Sequence, residues 1–489
     1  MCCLPHNKQL ERGGNAMRRP AVFPHFPRVY SFIYIGPPRP FSLFSPLTLM
    51  SLPQRTSLFR SVWALAWPGI LSNITVPLLS LTDTTIAGHL GSAACIGAVA
   101  LGGMLFNMAY WLCGFLRMGT GGLTAQQCGA GRETEAAHTL SRALVVAAML
   151  SGVLLVCQTP LADVAFALMD APAGTEALAR RYFGIVVWGV PAVLGTYAFS
   201  GWFLGMQNAR YPMWTAIGQN LLNMAASLWL VVGCGWGVEG VATGTLVAQW
   251  AGVLLCMALW QRRYGHLLHA LLHAPLRERG SLGRFFRVNR DIFLRTLCLV
   301  GVTTCFTAAG AAQGDLVLAA NTLLMQFFVF YSYLMDGFAY AGEALGGRCC
   351  GARRRTDYVR LTRHLFKWGA ALAAVFTALY ALLGTQALTL LTNQAAVAQT
   401  AATYLPFAVA IPLLSTAAFL FDGLYIGATA TRGMLGSMLV ATAAFFGTLI
   451  VSPTHNAALW CAFLAFLALR GGMQAVLYGK VVRGIEDIL

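Results

Sequence analysis

Apolar runs long enough to cross a lipid bilayer recur along almost the whole chain, and no other feature narrows the fold as much. A helix rising 1.5 Å per residue needs about 20 residues to span a hydrocarbon core of roughly 30 Å. Runs near that length cover 61–88, 95–118, 138–160, 181–204, 213–233 and 238–260, then 291–312, 318–345, 364–391, 402–427, 434–452 and 456–479. Lipid offers no partner for backbone N–H and C=O groups, so repeated crossings of this length must be helical. Composition agrees: 57% of the 489 residues are hydrophobic and 10% are charged, against roughly 25% charged in an ordinary soluble domain. The 17 Asp and Glu residues are too few to solvate a globular surface of this size. The expected fold is an all-α polytopic membrane protein of about twelve transmembrane helices, and a soluble fold is excluded.

A net charge of +16 raises nucleic acid as a partner, but the basic residues gather in a few short loops. The loop 261–290 holds Arg262, Arg263, Arg277, Arg279, Arg284, Arg287 and Arg290 against one acid, Glu278. The loop after the eighth run holds Arg348, Arg353, Arg354, Arg355, Arg360 and Arg363, while 160–180 and 392–400 are acidic or neutral. That distribution is an orientation signal, and the positive-inside rule places both termini and the 261–290 loop in the cytoplasm. The setting is a bacterial inner membrane, with no nucleic acid partner and a monomeric chain expected. Thirteen cysteines lie scattered without a CxxC pair or a His/Cys metal spacing, so they read as reduced thiols with no metal. Residues 1–49 are rich in Pro, Arg and His and lack the features of a signal peptide. They are expected to be disordered or to follow from a start codon placed too early, with Met50 as the natural start. The organisation is then an N-lobe over 50–260, a cytoplasmic linker over 261–290 and a C-lobe over 291–489.

The chain repeats itself at an offset of 222 residues. Cys128, Gly129, Ala130 and Arg132 reappear as Cys350, Gly351, Ala352 and Arg354; Tyr182 matches Tyr404; Gly201, Gly205 and Arg210 match Gly423, Gly427 and Arg432. With six helices in each copy, the second enters the membrane in the same orientation as the first. Parallel repeats of this kind are related by an axis along the membrane normal and place the ligand site between or within the two bundles. They suit a transporter that rocks between inward-open and outward-open states.

Charge inside a bilayer is costly and is kept for function. Asp83 lies in the first run, Asp336 and Glu343 share one face of the eighth, and Asp422 lies in the tenth. Glu239 falls at the start of the sixth run, an interfacial position. Polar residues in neighbouring spans include Asn73, Thr75, Asn220, Asn223, Thr243, Thr245 and Asn321. Position alone leaves two readings of Asp83. Counted from Arg60 it sits about 34 Å along a straight helix, near the outer interface, whereas bends at Pro68 and Pro77 would bring it inside.

Several stretches in order give the chain a family resemblance: WPGILSNITVPLLSLTDTTIAGHLG, FLRMGTGGLTAQQCGAG, GWFLGMQNARYP, NRDIFLR, DGFAYAGEALGG and DGLYIGATATRGM. From about Arg60 to Tyr478 the sequence resembles the DNA-damage-inducible F (DinF) branch of the multidrug and toxic compound extrusion (MATE) exporters. The resemblance implies two six-helix lobes around a central cavity and export of amphiphilic, often cationic compounds in exchange for H⁺ or Na⁺. It implies that Asp83 is the proton- and substrate-coupling acid of the N-lobe, with Asn223 and Thr245 in the same polar cluster. Asp336, Glu343 and Asp422 match the acids of the C-lobe blocks. Where relatives carry a second Asp four residues after the helix-five Asn, this chain has Ser227. A Na⁺ site is thereby weakened, since hard cations want several oxygen ligands, and H⁺ coupling is favoured, with no other cofactor.

The mechanism this implies runs through Asp83. Burial favours the neutral form of a carboxyl. Facing the acidic outer side, Asp83 takes up a proton and releases a cationic substrate; facing the cytoplasm, it loses the proton and rebinds cargo. Aromatic and Met side chains of the cavity would stack on flat cations. The nearest alternative is a flippase for a lipid-linked precursor, which shares the superfold. It is disfavoured here because its pyrophosphate asks for a basic cavity and the intramembrane ionisable residues read as mainly acidic. An integral-membrane enzyme is disfavoured by the lack of HExxH, GxSxG or an aspartate-rich pair.

Overall fold

The computed structural model describes residues 55–88, 92–169, 172–274, 281–451 and 455–486; the segment 1–49 lies outside them. The described residues form helices without strands, and twelve helical stretches are long and apolar enough to span a membrane. In order, the first half comprises α1 (Arg55–Gly88), α2 (Ala93–Cys113), α3 (Phe115–Gly129), α4 (Glu133–Val156), α5 (Gln158–Met169), α6 (Ala173–Val186), α7 (Val190–Gly205), α8 (Arg210–Leu228) and α9 (Val238–Tyr264). The short α10 (Leu268–Leu272) follows, and the second half comprises α11 (Ser281–Ala311), α12 (Asp315–Gly351), α13 (Arg355–Leu391), α14 (Ala395–Gly427), α15 (Thr431–Val451) and α16 (Asn456–Arg483). The second span breaks at Gly114 between α2 and α3, and the fourth tightens into a 3₁₀ turn over Val187–Gly189 between α6 and α7.

Each expected apolar run lies on one of these twelve stretches, and most helices extend past it into polar sequence. The stretch 261–290, expected as a linker, is largely helical: α9 runs on to Tyr264, α10 covers Leu268–Leu272 and α11 starts at Ser281. Arginine side chains have long apolar stems that reach to water from a helix end, so an arginine-rich segment need not leave the helix.

The repeat is visible in the backbone itself. The turn after α3 has hydrogen bonds from the N–H groups of Ala130, Gly131 and Arg132 to the carbonyls of Gln126, Cys128 and Gln127. The turn after α12 has the same three bonds 222 residues on, from Ala352, Arg353 and Arg354 to Arg348, Cys350 and Cys349. The turns after α7 and α14 are paired in the same way, from Met206, Gln207 and Asn208 and from Ala428, Thr429 and Ala430. All four turns carry their left-handed residue at matching places, Gly131 with Arg353 and Gln207 with Thr429. These are helix C-caps closed by an αL residue, and three of the four use a non-glycine for it.

Two hydrophobic cores follow the two halves, with a few exchanges, of which α1 is the largest. The first gathers apolar side chains of α2 to α9, among them Phe166, Trp202 and Trp260. The second gathers those of α11 to α16, among them Tyr331, Phe421 and Trp460, and also takes Leu58, Val62, Leu65, Ala66 and Ile70 of α1. The start of α1 thus packs on the second half, where Gly69 lies under the Tyr340 ring and Gly337 lies against Ala66 and Ile70. Ile86, near the other end of α1, belongs to the first core, so α1 passes from one core to the other.

Candidate functional site

Asp83 stands in the last turns of α1. Its side chain is half-buried, and Oδ1 is buried with no hydrogen-bond partner. Four further helices build its surroundings. From α6 comes Tyr182, 4% exposed, which lies near both Asp83 and Thr245 of α9. Its ring is pressed onto α2 at Gly102, where any Cβ would collide with it. From α8, Met224 Sδ lies 3.3 Å from Thr82 Oγ1, and one level below Asn220 Nδ2 donates to Thr75 Oγ1 at 2.7 Å. A buried carboxylate oxygen without a donor is a costly arrangement and a mark of a site rather than of packing.

Asn223 and Ser227 sit on the buried face of α8. Ser227 Oγ donates to Asn223 Oδ1 at 2.9 Å, the i,i+4 contact that their spacing requires. Ser227 is fully buried, and Gly244 of α9 packs on its backbone and hydroxyl. Ser227 therefore places a small hydroxyl donor here, and α9 closes over it. The hydroxyl of Thr245 donates to Val241 O at 3.0 Å and that of Thr243 to Glu239 O at 2.7 Å, so both are occupied by their own helix. Glu239 is half-exposed and paired with Arg181 at 3.3 Å, as an interfacial residue should be. Asn321 is far from this site: it exchanges amide hydrogen bonds with Asn456 at 2.7 and 2.9 Å and accepts from Trp460 Nε1.

The acids of the second half lie in a different setting. The Asp422 carboxylate is bound by the guanidinium groups of Arg295 and Arg470 and by Gln474 Nε2, the last at 2.7 Å. All four side chains are buried. Asp336 lies within the field of the same two arginines and of Arg117. Glu343, 1% exposed, is paired with Arg117 of α3 at 3.5 Å, and the Arg117 guanidinium lies 4.5 Å above the Tyr340 ring.

These arginines correct the expectation that the intramembrane ionisable residues are mainly acidic. Arg117, Arg295 and Arg470 each fall inside an apolar run, and the cost argument that singled out the acids applies to them equally. Tyr182 was legible as a repeat position, yet only the fold brings it to Asp83. Among the four acids expected inside the membrane, Asp83 is the one with no arginine beside it among the described residues.

A cavity of about 490 Å³ lies between α1 at Pro77, α12 at Phe327, Phe330 and Tyr333, and α13 at Tyr380 and Leu383. Its walls are aromatic and aliphatic apart from Gln326, without Met. Asp83 is not among the wall residues. Six residues separate Pro77 from Asp83, which turns the two by about 120° around α1: one faces the second half and the other faces into the first.

Residues 68–229 and 292–450 each match the sequence profile of the MatE family, so the profile is met once in each half. The chain is 37% identical over 442 residues to the DNA damage-inducible protein F of Escherichia coli (strain K12), covering 90% of this chain and 95% of that protein. It is 28% identical over 330 residues to the probable multidrug resistance protein NorM of Xanthomonas axonopodis pv. citri (strain 306), covering 63% of this chain and 69% of that one. Among solved structures, one described as a crystal structure of MATE in the bent conformation superposes with a TM-score of 0.78 at 17% identity, covering 88% of this chain and 96% of that chain. At that identity the likeness is one of fold.

Proposed function

The chain belongs to the MatE family, and from that premise we propose that it is a secondary active exporter of amphiphilic, cationic compounds, driven by H⁺ through Asp83. The observation that carries this reading is the buried, unpartnered Oδ1 of Asp83 inside the first half, near Tyr182, which in turn meets Thr245. A carboxylate with no fixed counter-charge is free to take either a proton or a cation. Asp422, held by two arginines and Gln474, already has its counter-charge. Coupling requires that proton and substrate each favour a different state of the protein, since a ligand indifferent between states drives nothing. Tyr182 is the group near enough to follow the charge state of Asp83, and its contact with α2 gives that change a route to a second helix.

By the positive-inside rule the arginine-rich end faces the cytoplasm of a bacterial inner membrane, and the halves pack on each other at that end. Na⁺ is the weaker driving ion, because Ser227 supplies a hydroxyl already used by Asn223. The flippase alternative draws no support from the arginines: Arg295 and Arg470 share Asp422, Arg117 pairs with Glu343, and Asp336 lies in the field of all three, so three arginines face three acids and the interior is balanced rather than basic.

The test is export of a cationic dye such as ethidium, read as its uptake into everted vesicles, wild type against Asp83→Asn, with an imposed pH gradient and then an imposed Na⁺ gradient. Loss of pH-driven efflux in the variant is expected. Undiminished pH-driven efflux removes Asp83 from the mechanism.

A further inference from the structure

The repeat aligns Gly121 of α3 with Glu343 of α12, and these two equivalent residues touch. The Glu343 carboxylate lies on the Gly121 Cα so closely that any Cβ there would collide with Oε1. Nearer the arginine-rich end the crossing is reciprocal. Gly129 lies on the Arg348 backbone and its equivalent Gly351 lies on the Gln126 backbone, while Gly122 lies against Ile426 O. Helices α3 and α12 therefore cross on glycines about the pseudo-two-fold axis. Into this otherwise symmetric crossing the chain places one asymmetric charge pair, Arg117 from the first half and Glu343 from the second.

That pair is poorly solvated and incompletely bonded. Its side chains are 17% and 2% exposed, at 3.5 Å, and Glu343 Oε1 is buried with no hydrogen-bond partner. Buried ion pairs of this kind regain little more than their desolvation cost, yet removing one partner leaves a charge stranded and costs a great deal. Further hydrogen bonds around it also run between the halves. Gln126 Nε2 donates to Gly427 O at 2.9 Å, Gln207 Nε2 to Ala344 O at 2.7 Å, and Arg284 Nη2 to Gln126 Oε1 at 2.5 Å.

We propose that Arg117 and Glu343 form a latch between the halves that sets how often the arginine-rich end opens. Closed, the two charges have each other, the Tyr340 ring on Arg117 and, through Arg117, the field of Asp336. Opened, both meet water, so hydration offsets the lost attraction and the two states stay close in free energy, as alternating access requires. Both are positioning residues: neither needs to touch substrate. The inference rests on the export reading for its purpose, while the opening it describes can be measured without substrate or ion gradient.

The experiment is hydrogen exchange on the full chain in lipid nanodiscs, comparing wild type with Arg117→Gln, Glu343→Gln, the double variant and Arg117→Lys. Amides of 126–131 and 348–354 report the closed end, and those of 220–227 report the Asp83 site. Single neutral variants should exchange at both closed-end segments about tenfold faster or more, with 220–227 unchanged. Arg117→Lys, which keeps the pair, should stay near wild type. The double variant strands no charge, so it should fold even where the singles do not, and, freed of the desolvation cost of closing, it should exchange more slowly than wild type at the closed end. It should also alter the maximal efflux rate with little change in apparent KM. Wild-type or faster exchange at 126–131 and 348–354 in the folded double variant overturns the latch. Failure of Asp83→Asn to impair efflux would overturn the export mechanism and leave the exchange result standing.

Discussion

The two halves descend from one repeat, yet their buried carboxylates sit at places that do not correspond. An offset of 222 carries Asp83, Asn223, Ser227 and Thr245 onto Cys305, Phe445, Leu449 and Leu467. In the other direction it carries Arg295, Asp422, Arg470 and Gln474 back onto Asn73, Ser200, Ala248 and Gly252. Each half has thus built a charged site where the other keeps small, apolar or uncharged residues. The two sites are finished differently. Asp422 has two arginines and an amide, whereas Asp83 has an oxygen with nothing to bond. A buried carboxylate with fixed counter-charges ties its helices together, even though Arg295 Nε, Arg470 Nε and Gln474 Oε1 stay unbonded, and one without them is free to take a proton or a cation. The second half reads as the rigid partner and the first as the one that responds.

The sharpest way to break that comparison is Asp422→Ala. Two buried arginines would lose their shared anion, and the cost should be about 3–5 kcal/mol, seen as a large drop in the thermal midpoint of purified protein or as failure to accumulate. If Asp422→Ala is as stable as wild type, the second-half cluster is not structural. Next come Gly201→Ala and Gly423→Ala, equivalent residues packed on the backbones of Arg117 and Ala339. Overpacking at such crossings should cost about 1–3 kcal/mol and nearly equally in the two halves. A difference well above that range would mean that the halves do not share one packing scheme. Ser227→Ala leaves Asn223 Oδ1 without its donor and should cost about 1 kcal/mol, measured by the same melt. The smallest effect on stability belongs to Asp83→Asn. It removes a charge that no arginine balances, so the thermal midpoint should hold or rise slightly while pH-driven dye efflux is lost. A marked loss of stability would show that Asp83 has a structural partner and would undo the contrast with Asp422.

Much of the fold could be read from residue order, because apolar length is a nearly sufficient condition for a membrane helix. The same rule ends each helix where hydrophobicity ends, which is why α13 was expected from 364 and begins at Arg355. Backbone hydrogen bonding continues a helix into polar sequence, which is why most of the described residues within 261–290 are helical. The site was legible in part. Asp83 stood out by the cost of its charge, and Asn223 and Ser227 by their spacing of four along α8. Tyr182 lies about a hundred residues from Asp83 in the chain, and no periodicity ties the two. Arg117, Arg295 and Arg470 obeyed the same cost argument as the acids, but basic residues had been assigned as a group to the loops.

The residues by themselves determined that this chain crosses the membrane about twelve times, that it does so as two copies of one unit, and that a few charges must be carried inside. Hydrophobic length and a shared offset are properties of residue order, and they survive any arrangement of the helices. Only the tertiary structure decided which of those charges are answered. Whether a buried carboxylate meets an arginine depends on which helix faces meet, and that placed Asp422 between Arg295 and Arg470, Glu343 against Arg117 across the axis, and left Asp83 open.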